Sequence, residues 1–185
     1  MAQQSTGTLK QKISRQYHNL TDSSFNHVTD NFVGTCTTHT NTTDAANPGT
    51  LTIPAGRLNV GTVIKVTSFG VVTDNNSTDT LTNLLNSTHG STRVALATGA
   101  ALDVADDDIV QADSEIYILT TGTAGTFAAI SKIWTNTGDT VVRNWLGSTA
   151  IDTTVATTIA HNADWSVAHA ENIFTQLVHT AQVFG

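Results

Sequence analysis

The chain has 185 residues, enough for one buried domain with some length left over for an arm. Only 12% of its residues are charged, 39% are hydrophobic and 35 are threonine, a balance that favours pleated surfaces and frequent turns over helices. The net charge of −7, with no Lys/Arg stripe interleaved with aromatics, argues against nucleic acid as a partner; no 18-residue apolar run is present to span a membrane, and the single cysteine, Cys36, excludes an internal disulfide.

Residues 1–30 are polar and read as an N-terminal docking arm. The first 20 residues lack the apolar core of a secretory signal, so synthesis is expected in the cytoplasm. Lys10, Lys12 and Arg15 face no acid within the first 15 residues, whereas the rest of the chain holds 15 acidic residues against five basic ones, a balance of −10. Leu9, Ile13 and Tyr17 recur at fourfold spacing, which makes one or two amphipathic helical turns that need a surface to dock on. The alternative is a disordered leader.

Residues 31–185 read as one β domain. Short runs rich in β-branched residues follow one another between turns: "NFVGTCTTHT", "GTLTIP", "NVGTVIKVTSFGVVT", "DTLTNLLN", "TRVALATGA", "SEIYILTTG", "FAAISKIWTN", "TVVRNWLG", "TTVATTIA", "WSVAHA" and "NIFTQLVHTAQVF". The Ala/Leu-rich stretch 94–102 offers one short helix as a competitor. In "SEIYILT", Ile116 and Ile118 share a face with Ser114 while Tyr117 and Leu119 share the other with Glu115, which predicts burial on both sides. The final run does the same: Ile173, Leu177, His179 and Val183 alternate on one face, Phe174, Val178 and Phe184 on the other. The first of these faces is the expected subunit interface of a homo-oligomer. About ten antiparallel strands in one domain predict an all-β, jelly-roll-like sandwich.

Chemistry-bearing residues are sparse. No Gly-x-Ser-x-Gly elbow, phosphate-binding loop or dinucleotide fingerprint occurs, and Cys36 with His39 sits in a threonine-rich run without an orienting acid, so neither an enzyme nor a cofactor is expected and Cys36 reads as a buried small residue. The acidic run "LDVADDDIVQADSE" reads as a solvated loop; Asp106, Asp107 and Asp108 are its candidates for Ca²⁺, although the EF-hand spacing is absent. The histidines show no zinc spacing, and His161, His169 and His179 read as packed, hydrogen-bonded side chains or, at a trimer axis, as a converging set. Trp134, Trp145 and Trp165 separate two functions: buried they belong to a scaffold, exposed together they belong to a sugar site.

Three segments carry a resemblance: "GTLTIPAGRLNVGTVIKVTSFGVV" with its Ile53-Pro54-Ala55 corner, "STDTLTNLLN", and "ADWSVAHAENIFTQLVHTAQVF". Together they resemble a β-rich module of tailed-bacteriophage virion proteins of the capsid decoration, or cement, type. The resemblance implies a trimer on a capsid lattice, the major capsid protein or another virion protein as partner, and no enzymatic activity. A tail-fibre or knob domain that binds host carbohydrate is the alternative. His89, His161, His169 and His179 depart from it, standing where small or apolar residues are expected.

Overall fold

The computed structural model describes residues 28–40, 46–73, 78–136 and 141–185; the arm residues Leu9, Lys10, Lys12, Ile13, Arg15 and Tyr17 lie outside them. Within the described residues the chain is all strand: β1 (Val28–Val33), β2 (Thr35–Cys36), β3 (Thr38–Thr40), β4 (Ala46–Ile53), β5 (Val63–Thr73), β6 (Thr80–His89) and β7 (Thr92–Thr98), then β8 (Leu102–Asp103), β9 (Ile109–Thr120), β10 (Gly125–Thr135), β11 (Val141–Ile151), β12 (Thr157–Trp165) and β13 (Ile173–Phe184). Because β1 begins at Val28, the β body takes in the last three residues assigned to the arm.

The larger sheet runs β1-β13-β5-β9-β10-β11, with β3 also on β13; the smaller runs β2-β4-β12-β6-β7, with β8 on β6. All pairings are antiparallel. Those of β1 with β13, β4 with β12, β5 with β9 and β6 with β7 nest inside one another along the chain and alternate between the sheets. That nesting is the jelly roll, one long hairpin rolled into two facing sheets. The β10–β11 hairpin is an extension that lengthens the larger sheet beyond β9.

Alternation puts apolar side chains between the sheets. On β5, Ile64, Val66 and Val72 point inward and Lys65 and Thr67 outward; on β9, Val110, Ala112, Ile116 and Ile118 point inward. Trp165, Phe127, Phe174, Leu85, Leu96 and Ile159 complete a single core. The Pro-Ala-Gly corner works as the crossing from β4 to β5. Gly56 (φ 76°) and Gly61 (φ 87°) take the left-handed backbone that glycine adopts without cost, while Leu58 between them is buried and the Thr62 hydroxyl accepts from Asn59 N at 3.0 Å.

At residues 94–98 the strand reading of "TRVALATGA" holds over its helical competitor: they continue β7, because the Gly90 turn (φ 59°) folds them back onto β6, where pairing and the burial of Leu96 and Ala97 override the helix propensity of alanine and leucine. Three local expectations are corrected. "WSVAHA" is a strand only at Trp165; Asn172 then holds a turn by donating to Val167 O (2.9 Å) and Asp79 Oδ2 (2.8 Å). The outer face of "SEIYILT" is open, with Glu115 and Tyr117 half-buried and Leu119 exposed, since no further layer covers it among the described residues. Cys36 is exposed on short β2 rather than buried.

Candidate interaction surface

On β13 the register slips between Gln176 and Val178. A bulge adds a residue and reverses the side-chain parity. Phe174 and Gln176 point inward before it, and His179, Ala181 and Val183 after it. The face expected at a subunit interface is thereby split: His179 and Val183 lie inside this chain's own sandwich, Ile173 is half-buried, and of the set only Leu177 is exposed. At the bulge Leu177 (51% exposed) and Val178 (40%) both reach solvent, and Val33 (82%), on the neighbouring edge strand β1, stands beside them opposite Thr180.

The other half of the same outer face is built from β5, β9, β10 and β11, whose outward residues fall into cross-strand rows. Lys65 lies opposite Glu115, Glu115 opposite Ile130 and Ile130 opposite Trp145; in the next row Thr67, Asp113, Lys132 and Arg143 follow one another. Lys65 pairs with Glu115 (3.3 Å) and Lys132 with Asp113 (3.2 Å), both in solvent, where such pairs add little stability. The Tyr117 hydroxyl donates to the Glu115 carboxylate, which, with Lys65, holds that carboxyl below its ordinary range; the same bond raises the Tyr117 phenol. Arg143 has no ion-pair partner among the described residues. An open depression of ≈390 Å³ lies over these rows, and a second of ≈280 Å³, lined by Val63, Tyr117 and Phe184, shares Lys65 and Glu115 with it. Ile130 (52% exposed), on β10, lines this groove, and Trp145 (66%), opposite it on β11, stands at the rim; Trp134, half-buried, faces outward further along β10, and Trp165 is in the core.

Between the sheets sit three histidines. His179 donates through Nε2 to Ile159 O (3.0 Å), so its Nδ1 accepts from the Ser68 hydroxyl (2.6 Å). The Gln176 amide nitrogen donates to Phe69 O (2.7 Å) and to Val178 O, which leaves its Oε1 to accept from His161 Nδ1 at 2.7 Å. His161 Nε2 has no hydrogen-bond partner among the described residues, and the ring meets Phe174 edge-on. His89 bonds Ser87 (2.7 Å) and Thr157 (3.0 Å). Burial lowers all three: His89 to about 4 despite Asp152, His161 to about 4 despite its Gln176 bond and with the help of His179, and His179 below its ordinary value despite its bond to Ile159 O. They are packed core residues; His169 lies on the turn after β12, and its ring nitrogen accepts from Glu171 N at 3.3 Å.

The acidic run is more structural than a solvated loop. Asp108 is buried and its Oδ2 accepts from Ala105 N at 2.7 Å, Asp107 N and Asp108 O bond Val72 of β5, and Asp113 and Glu115 belong to β9. Asp106 and Asp107 are exposed, with Asp107 at φ 64°. Among the described residues no three His, Cys, Asp or Glu are grouped to hold a metal, and no helix is long and apolar enough to cross a membrane. The sequence pointed to Trp145 but not to Arg143 or Ile130; the parity of "RNW" within one strand, which places Arg143 and Trp145 on the same face, was the available signal. Comparison with models of known protein families gives no match, and comparison with curated proteins gives none either.

Proposed function

We propose that this chain is a structural virion protein, a decoration protein of a tailed-phage capsid that associates with copies of itself, most simply as a trimer, and with the major capsid protein beneath. The observation that carries the reading is the apolar set Val33, Leu177 and Val178, exposed together at the β1–β13 edge of the larger sheet. A second copy is the occupant that fits. The set borders the edge strand from which the segment 1–27 leads off, so one contact can join subunits while Leu9, Lys10, Lys12, Ile13, Arg15 and Tyr17 engage the lattice. The resemblance of the Ile53-Pro54-Ala55 corner and the closing segment to cement proteins supports the same role. Sedimentation of the full chain tests it: an oligomer that Leu177→Asp with Val178→Asp converts to monomer is expected, and a monomer at micromolar concentration refutes it. Deleting residues 1–20 should leave folding and oligomerisation intact and weaken attachment to the particle in a salt-dependent way.

A further inference from the structure

We propose that the groove across β5, β9, β10 and β11 is a binding site for a short acidic oligosaccharide of the hexuronate class, with Trp145 as the stacking platform and Arg143 as the carboxylate clamp. The inference is independent of the assembly reading, which rests on Val33, Leu177 and Val178, none of which lines the groove; a monomeric chain would leave it standing.

Three features converge on that ligand. The first is Trp145, two-thirds exposed beside Ile130 and therefore presenting a flat apolar face to water. A large aromatic left out of the core is unusual for a packing residue, and an indole face matches the C–H face of a pyranose ring. The second is charge. Lys65 and Lys132 are matched by Glu115 and Asp113, whereas Arg143, two residues from Trp145 on the same face of β11, has no ion-pair partner among the described residues. Its guanidinium is the group that takes a carboxylate bidentately. Residues i and i+2 of a strand lie about 6.5 Å apart, so a ring stacked on Trp145 holds a carboxylate on its own edge within reach of Arg143. The third is extent. The two depressions share Lys65 and Glu115 and run from Phe184 on β13 to Arg143 on β11, four strand intervals or about 19 Å, with Trp145 at the rim, opposite the lining residue Ile130. That is the span of several linked sugars, with the carboxylates and ammonium groups of the two ion pairs facing the hydroxyls midway and Tyr117 and Phe184 offering a second apolar contact at the far end.

The test is an NMR titration of the ¹⁵N-labelled full chain with tetragalacturonate and, separately, with its fully methyl-esterified, uncharged form. Tetragalacturonate is expected to shift the indole N–H of Trp145 and the amides of β11, leaving the indole of buried Trp165 unmoved. Trp145→Ala should weaken binding of both ligands by at least about tenfold, and Arg143→Ala should weaken the acid about tenfold, down to the level of the ester, without changing the ester. Both side chains are exposed, so unchanged melting temperatures are expected and keep the comparison valid. No response to tetragalacturonate up to about 10 mM, equal binding of acid and ester, or binding that survives Trp145→Ala overturns the proposal. So does conversion of an oligomer to monomer by Trp145→Ala, which assigns the face to a second copy of the chain.

Discussion

Lowering the pH from about 7.5 to about 5 should weaken this fold through its buried histidines, well before its carboxylates titrate. His89 and His161 are neutral in the folded chain with pKa values of about 4, against 6.5 for the free side chain. The unfolded chain therefore binds protons that the folded chain refuses, and stability falls as pH falls, beginning below 6.5 and levelling off once the folded values near 4 are passed. At about pH 5 each histidine costs about 2 kcal/mol, rising to about 3 kcal/mol at the plateau. His179, displaced in the same direction, adds to this. Together His89 and His161 remove about 4 kcal/mol by pH 5, a large part of the 5–15 kcal/mol that typically holds a domain folded. For a chain of this size that is a fall of roughly 8–16 °C in Tm. Glu115, whose carboxyl is held low by Tyr117 and Lys65, loses its contribution only at still lower pH. Calorimetry or circular dichroism across the range measures the slope. In His161→Gln the amide can still donate to Gln176 but cannot titrate, so the loss at about pH 5 should shrink by about 2 kcal/mol. A Tm that is flat or rises on acidification, or a slope untouched by both His161→Gln and His89→Gln, refutes the reasoning.

Two further outcomes follow from local geometry. A methyl at Gly34 would sit 2.5 Å from Thr50 O and 2.7 Å from the His179 ring, so Gly34→Ala should lower stability by about 2 kcal/mol or more, whereas Gly147→Ala, with nothing within 4 Å, should stay within about 0.5 kcal/mol; paired melting curves decide it. Chelation with EDTA should move Tm by less than about 2 °C, while Asp108→Ala should cost about 1 kcal/mol by freeing the Ala105 N–H; a chelation shift larger than that of the mutation would make Asp106, Asp107 and Asp108 ligands after all.

The architecture was legible because burial imposes a period of two. Ile64, Val66 and Val72, or Val110, Ala112, Ile116 and Ile118, announce their face without help from the rest of the chain. Turn chemistry at Gly56, Gly61 and Gly90 marked the ends. What stayed hidden depends on register. The slip at Gln176 is invisible in a string of residues that are apolar on both parities, and it moves His179 and Val183 from an expected interface to the core. At 94–98 the residues alone left a strand and a short helix open, and pairing with β6 selects the strand. The histidines were legible as misfits, but the neutral network of His179, Ser68, Gln176 and His161 requires knowing that β5, β12 and β13 meet there. The groove is read least easily, because Lys65, Glu115, Ile130 and Arg143 belong to four strands spread along the chain and become neighbours only across the sheet.

The nested pairing also sets the order of events at the ribosome. Among the described residues β1 pairs as a strand only with β13, about 150 residues later, so at elongation rates of roughly 5–20 residues per second it waits roughly 8–30 s for that partner. The innermost pair, β6 with β7, has both its strands available as soon as its turn has emerged, and each outer pair encloses those inside it. Throughout that interval Phe32, which packs against the finished core, has no strand beside it, and the first strand of a nascent chain is open to capture by the last strand of a neighbour. Polysomes translating this message are where strand exchange between copies would begin.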